Sequence, residues 1–334
     1  YFKLGRHQQW LIDHIEANPD FIAPDNRRNE VLGFLKNETL EDLCISRPKE
    51  RLTWGIPLPF DADYVTYVWF DALTNYLSIP RARGEEAELW PADIHVIGKD
   101  ILKFHAVYWP IMLKAAGLAL PKQVLVHGWW QKDNQKMSKS IGNVVDPVTV
   151  IDDWGLDAFR YYVVRELAIG PDGNWTDESF ANRYHAELAN GLGNLVNRSL
   201  SMLTRYREGI VPPQHDELAN EAHATRDKLV DELKSSELQA GLMTIWSFIS
   251  RLNQYVDETA PFKLAKDEAQ SERLGEVLYN LAEGCRLLAV WLQPYLPTTS
   301  QRIMEQLSLP TDPVNIAEED WGGLNADHKI NAPE

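Results

Sequence analysis

The stretch QKMSKSIGN, Gln135 to Asn143, sets two lysines, Lys136 and Lys139, around Met137 and Ser138, with Ser140 and Gly142 following. Two ammonium groups on a loop of small residues suit a polyphosphate, because phosphoryl and nucleotidyl transfer need charge neutralisation more than covalent help. An ammonium about 4 Å from a phosphate oxygen is worth roughly 1 kcal/mol in water and about 4 kcal/mol at an effective dielectric of 20. Contacts that tighten only as pyrophosphate departs lower the barrier as well as bind the nucleotide. Ser138, Ser140 and Gly142 are expected to keep the loop small and mobile and to add donors. The same composition also describes a solvated charged turn, so the surroundings must choose.

Those surroundings begin with helices and loops. QQWLIDHIEANP is amphipathic and Pro19 stops it, and NEVLGFLKN forms a second helix. From Tyr64 the rhythm changes. DYVTYVWF is rich in β-branched and aromatic residues and reads as a strand. DALTNYLSI follows as a helix with Asp71 as its N-cap. DIHVIG is a second strand. KDILKFHAVYWPIMLKAAG is a helix, with Asp100 near its start, Gly117 near its end and Pro110 kinking it. KQVLVHGW is a third strand. This alternation predicts a parallel, doubly wound sheet, in which ligands sit beyond the carboxyl ends of the strands. The lysine loop follows the third strand in sequence. After Val145 the chain turns helical. LDAFRYYVVREL is amphipathic, and GPDGNWTDESF is a turn that caps the next helix at Thr176 or Asp177. Leu188, Leu192, Leu195 and Leu203 share one stripe; Leu274, Leu278, Leu281, Cys285, Leu288 and Leu292 share another. Such stripes predict the core of a helix bundle. Pro294 and Pro297 break the last long helix, and DHKINAPE reads as a tail.

The bulk numbers bound the function classes. The 334 residues are 44% hydrophobic and 25% charged, ordinary globular values for about two domains. Cys44 and Cys285 form neither a metal clip nor a disulfide framework, which points to a reducing, cytoplasmic setting. No apolar run reaches the length of a membrane span and no signal peptide is visible. A net charge of −16 argues against a general basic coat for nucleic acid. Any such contact must come from a few local residues. The chain opens on Tyr1 and reads as the middle of a larger protein.

The loop has companions in order along the chain: ISRPKERLTWGIPLPFD, YVWFDALTNYL, HVIGKDILKFHAVYWPIML, DAFRYYVVRE and LANGLGNLVNR. With KMSKS they make the chain similar to the methionyl-tRNA synthetase family of class I aminoacyl-tRNA synthetases. The resemblance covers nearly the whole chain. It implies ATP-dependent activation of L-methionine to methionyl adenylate and transfer to tRNA(Met), with Mg²⁺ arriving with ATP. Lys136, Lys139 and Ser138 resemble the catalytic loop, with Lys139 the better candidate for the transition state. Gly98 and Asp100 resemble ribose and adenylate contacts, although Asp100 also suits a plain helix N-cap. Trp69, Ala72, Tyr76, Ile101, His105 and Trp109 match the methionine side-chain pocket. Ala72 with Tyr76, Ile101 with His105, and His105 with Trp109 each share a helical face. A thioether packs well on aromatic rings, but these same residues also fit an aromatic core. Arg47 matches an active-site arginine, or makes a surface salt bridge. Asn194, Arg198 and Phe262 match residues that read the anticodon. The family often has Trp where Phe262 stands, and base stacking there is worth roughly 1–3 kcal/mol.

The resemblance divides the chain into 1–50, the end of a connective insertion; 51–145, the second half of a Rossmann-type catalytic domain; 146–180, a stem-contact connector; and 181–334, a helical anticodon-binding domain. The first signature of the class, a His-Ile-Gly-His-like element, and the first half of the nucleotide fold are absent, as is any cysteine cluster for zinc. No protein-bound zinc is expected in this chain. The chain is expected to be inactive or weakly active alone, with the missing N-terminal half as a partner. The competing readings are a non-catalytic tRNA-binding fragment, one subunit of a split synthetase, or another class I enzyme such as the cysteine type.

Overall fold

The computed structural model describes residues 1–332, which form two compact units. The first unit holds Tyr1–Trp129 and Ile169–Asp172; the second holds Trp130–Ala168 and the chain from Gly173 onward.

In the first unit the elements run α1 (Gln8–Ala17), β1 (Ile22–Ala23), α2 (Asp25–Asn37), β2 (Ser46–Pro48), β3 (Pro57–Leu58), β4 (Asp61–Thr66), α3 (Val68–Ala72), α4 (Asn75–Arg83), α5 (Glu86–Leu89), β5 (Ile94–Gly98), α6 (Trp109–Ala116) and β6 (Gln123–His127). A parallel sheet of order β1-β6-β5 sits at its centre. β6 is central, and Val124, Leu125 and Val126 are buried in succession, as a parallel strand covered on both faces requires. β5 alternates: His95 and Ile97 are buried, whereas Ile94 and Val96 are exposed, Val96 by 66%.

Three expectations change here. The strand at Tyr64 does not join the parallel sheet. β4 pairs antiparallel with β2 and β3 in a sheet of its own, and the chain is already helical at Val68. The third parallel strand is β1, two residues long and too short to leave a pattern. Asp71 is no N-cap, because it lies inside α3, and its carbonyl accepts a hydrogen bond from Thr74 Oγ1 at 2.6 Å. The single kinked helix after β5 is three pieces: a 3₁₀ turn (Lys99–Ile101), a π turn (Phe104–Tyr108) and α6. Pro110 falls in the first turn of α6, where its missing N–H costs nothing, and the wider π turn precedes it. Gly117 ends α6 in the left-handed region, φ 70°.

In the second unit come β7 (Trp130–Lys132), β8 (Gln135–Lys136), α7 (Pro147–Trp154), α8 (Leu156–Glu166), β9 (Gly173–Trp175), α9 (Asp177–Arg183), a π segment (Tyr184–Gly193), α10 (Asn194–Arg207), α11 (Ala219–Lys234), α12 (Leu238–Thr259), α13 (Pro261–Leu264), α14 (Ser271–Leu292) and α15 (Pro297–Gln306). β7 and β8 are joined by Asp133 and Asn134, both at positive φ, the geometry of a tight hairpin turn. β9 adds in parallel to β7, and Thr176 caps α9 by accepting from Ser179 N at 3.0 Å. The two leucine stripes enter one core, except that Leu188 is only half-buried against it.

α14 is more than a striped helix. Val277 through Leu292 are buried without a break, including Glu283 and Arg286. A helix buried all round must satisfy its charges internally. Glu283 accepts from Gly322 N, Gly323 N and Leu324 N at 2.8, 2.9 and 3.0 Å and from Arg286 Nη2 at 2.7 Å. Arg286 also donates to Glu319 Oε2 and the Asp320 carbonyl, both at 2.6 Å. The expected tail is docked in part: Lys329 bridges to Ile210, and Ile330 is buried. Among the described residues no helix is long and apolar enough to cross a membrane.

Candidate active site

In the first unit, α3, α4, the 3₁₀ turn, the π turn and α6 bring five of the six expected pocket residues into ring or hydrogen-bond contact. His105 Nδ1–H donates to the Ile101 carbonyl at 3.0 Å, so its Nε2 is left as an acceptor. Tyr76 O–H donates to that Nε2 at 2.9 Å. Trp69 meets His105 edge-on at 6.2 Å and stacks on Phe104 at 4.0 Å. Trp109 lies 6.2 Å from the Tyr76 ring. Ala72 is half-buried at the end of α3.

One member was missed. His95, buried on β5, accepts from Trp109 Nε1–H at 3.3 Å, and its ring lies 4.2 Å from that of Tyr76. Burial pushes His95 down to about 4, with His105 adding to the effect. Burial also lowers His105, against the pull of the Ile101 carbonyl, and raises Tyr76. The cluster is therefore neutral near pH 7. DIHVIG gives no polar–apolar alternation to choose its inward face, because the residues on both sides of His95 are apolar.

At the carboxyl end of β5, Asp100 Oδ1 accepts from Trp129 Nε1–H at 3.2 Å rather than capping a helix. Gly98 stands close by, and a Cβ there would lie 2.8 Å from Asp100 Oδ1. Lys99 lies over the Trp129 ring at 4.2 Å and pairs with Asp172 at 2.7 Å. That contact, helped by the Trp129 amide, holds the Asp172 carboxyl below the usual range. Arg47 makes no salt bridge among the described residues. Its guanidinium lies 4.3 Å over the Tyr67 ring and donates to the Cys44 and Ser46 carbonyls at 3.2 and 2.8 Å.

The lysine loop belongs to the second unit. Lys136 ends β8, and Met137 packs against the cluster of Ala158, Tyr162, Trp175 and Phe180. Lys136 and Lys139 are exposed. The serines bond each other, Ser138 Oγ to Ser140 Oγ at 2.8 Å. In the bundle, Asn194 and Arg198 lie on α10. Arg198 Nη2 donates to Asn253 Oδ1 at 2.7 Å and Nη1 lies 3.9 Å from Asp257, both on α12. Phe262, 48% exposed, follows α12 on α13. Asn194 donates to Asn190 Oδ1 at 3.5 Å. A cavity of about 480 Å³ in this unit is lined by Trp154, Tyr184, Asn197 and Arg302 among others, and by none of the expected site residues. Among the described residues no group of three His, Cys, Asp or Glu is placed to hold a metal ion.

Residues 1–200 match the family described as tRNA synthetases class I (M). The chain belongs to this family. Among curated class I relatives, the methionine–tRNA ligase of Clostridium tetani is 47% identical over 92% of this chain and 50% of its own length. That of Bacillus subtilis is 44% identical over 98% of this chain and 50% of its own length. The chain thus spans about half the length of the curated relatives it matches. The crystal structure of Mycobacterium tuberculosis methionyl-tRNA synthetase bound by methionyl-adenylate superposes with a TM-score of 0.90 at 37% identity, covering 100% of this chain and 67% of that one. The class I synthetase fold is therefore established for this chain.

Proposed function

We propose that this chain supplies part of an ATP-dependent methionine–tRNA ligase. The observation that carries the reading is the neutral aromatic cluster of Trp69, Tyr76, His95, His105 and Trp109. It contains no charge, and the Tyr76 proton is committed to His105. Such a wall suits an unbranched thioether, which is polarisable and only a weak acceptor. A polar side chain entering it would lose hydration without gaining a strong partner.

In the reaction, the methionine carboxylate attacks the α-phosphorus of ATP and pyrophosphate leaves with its Mg²⁺. Lys136 and Lys139 neutralise the departing phosphates, with Ser138 on the same loop. Gly98 and Asp100 border the ribose and adenylate, and Arg47 the same active site. The 3′-terminal hydroxyl of tRNA(Met) then attacks the acyl carbon and releases AMP. Residues 51–145 act as the second half of a doubly wound Rossmann-type domain, after the end of an insertion at 1–50. Residues 146–180 contact the tRNA stem. The bundle of 181–334 reads the anticodon through Asn194, Arg198 and Phe262. The place of action is the cytoplasm.

Methionine-dependent exchange of pyrophosphate into ATP, and charging of tRNA(Met), test this in a full-length family enzyme carrying this chain. Exchange supported by another amino acid in preference to methionine overturns the reading. The chain alone is expected to exchange far more slowly, because it spans half the family's length.

A further inference from the structure

The lysine loop is closed by one side chain. Asn143 Oδ1 accepts from Ser138 N–H at 2.8 Å, and Asn143 Nδ2 donates to the Lys136 carbonyl at 3.2 Å. A single amide therefore crosses the loop and holds the backbone on both sides of Met137. Inside that ring the chain turns tightly: Ile141 N and Gly142 N both donate to the Ser138 carbonyl, at 3.2 and 3.1 Å. Gly142 takes φ 74°, a conformation that L side chains rarely adopt. Lys136 is anchored in register with Gln131, and Met137 is set in the aromatic cluster below. Lys139 then stands on a backbone fixed at both ends, with its side chain exposed.

From this geometry we infer that Asn143 is a positioning residue for adenylate formation, acting through Lys136 and Lys139 rather than on substrate. The inference rests on the reading above that the two lysines neutralise the phosphates. An amide is the side chain that fits, because it offers a donor and an acceptor together; a carboxylate would serve Ser138 N–H and repel the Lys136 carbonyl. Charge stabilisation is effective when the charges are in place beforehand, since no reorganisation is then needed at the moment of reaction. With Asn143 truncated, the Ser138 amide and the Lys136 carbonyl turn to water, and the loop must be ordered in each turnover.

The experiment is a double-mutant cycle on single-turnover adenylate formation, in the full-length enzyme carrying this chain. Asn143→Ala is expected to lower the rate about tenfold, roughly one decade per 1.4 kcal/mol, with the methionine KM and the thermal midpoint unchanged. In a background carrying Lys136→Ala and Lys139→Ala, the same substitution should change the rate less than about twofold, because the groups it positions are gone. A full tenfold loss in both backgrounds overturns the inference, as does no loss in either. If removing both lysines leaves the rate intact, the proposed role of the loop fails instead, and the two failures are told apart.

Discussion

The aromatic cluster of the first unit and the lysine loop of the second solve opposite problems. The cluster is buried and uncharged, and its side chains fix one another: Ile101 holds His105, His105 holds Tyr76, and His95 holds Trp109. The loop is exposed and charged, and its side chains are fixed through the backbone by Asn143 and Met137. Recognition of an apolar group wants a dry wall with every donor already engaged, so that only shape and dispersion discriminate. Neutralisation of a leaving polyphosphate wants charges that stay hydrated until they are used, since burying an ammonium would cost more than it returns. On the proposed reading, the apolar wall and the charged loop are separated by dielectric.

The largest effect expected from this contrast concerns pH. His95 is neutral in the fold at about 4 and titrates near 6.5 when unfolded. Its contribution is fully present above pH ~6.5 and is lost as pH falls toward ~4, because there the unfolded chain binds the proton first; it amounts to at most about 3 kcal/mol. His105 is lowered too and acts with the same sign. Thermal midpoints of the chain between pH 7 and 4.5 check this, and His95→Leu should flatten the profile. An unchanged slope in that variant would mean the acid sensitivity lies elsewhere.

Next comes the loop. Lys139→Ala should lower the rate of adenylate formation about a hundredfold while leaving the methionine KM within about twofold, as expected for a charge used mainly in the transition state. Pyrophosphate exchange across a methionine titration separates the two parameters, and a shift in KM alone would erase the distinction drawn between loop and pocket. The converse change, His95→Leu, should raise the methionine KM about tenfold with little change in kcat, because Trp109 Nε1–H loses its acceptor in a buried place. His95→Gln, which keeps an acceptor, should recover part of it. The smallest effect is salt: raising ionic strength from about 0.05 to about 0.5 M should raise the ATP KM several-fold and leave that for methionine flat.

Much of this was legible in the residues. KMSKS and its companions were enough to place the chain in its family. Ile101, His105 and Trp109, expected on one helical face, lie on a 3₁₀ turn, a π turn and α6, and His105 meets Ile101 through its carbonyl. What escaped had physical reasons. β1 is two residues long, below any periodic signal. The aromatic run at Tyr64 read as a strand of the parallel sheet because β-propensity reports fit to a pleated surface and says nothing of which sheet is joined. Glu283 and Arg286 are three apart on a helix, a spacing that solvated ion pairs share, so nothing local marks them as buried. They are buried because Glu319 to Leu324 fold over them, a contact between parts of the chain far apart in sequence.

By itself, then, the sequence determined the identity of the chemistry: which residues are charged, which are aromatic, and the local spacings that turn or helix geometry converts into a shared face. These are short-range properties, set by residue type and by periods of a few residues. Only the tertiary structure decided protonation, partnership and orientation. His95 is neutral because strand pairing buries it beside Trp109, and the two lysines stand where they do because Asn143 closes their loop. Desolvation and hydrogen-bond satisfaction depend on everything packed around a group, and that neighbourhood exists only once the chain has folded.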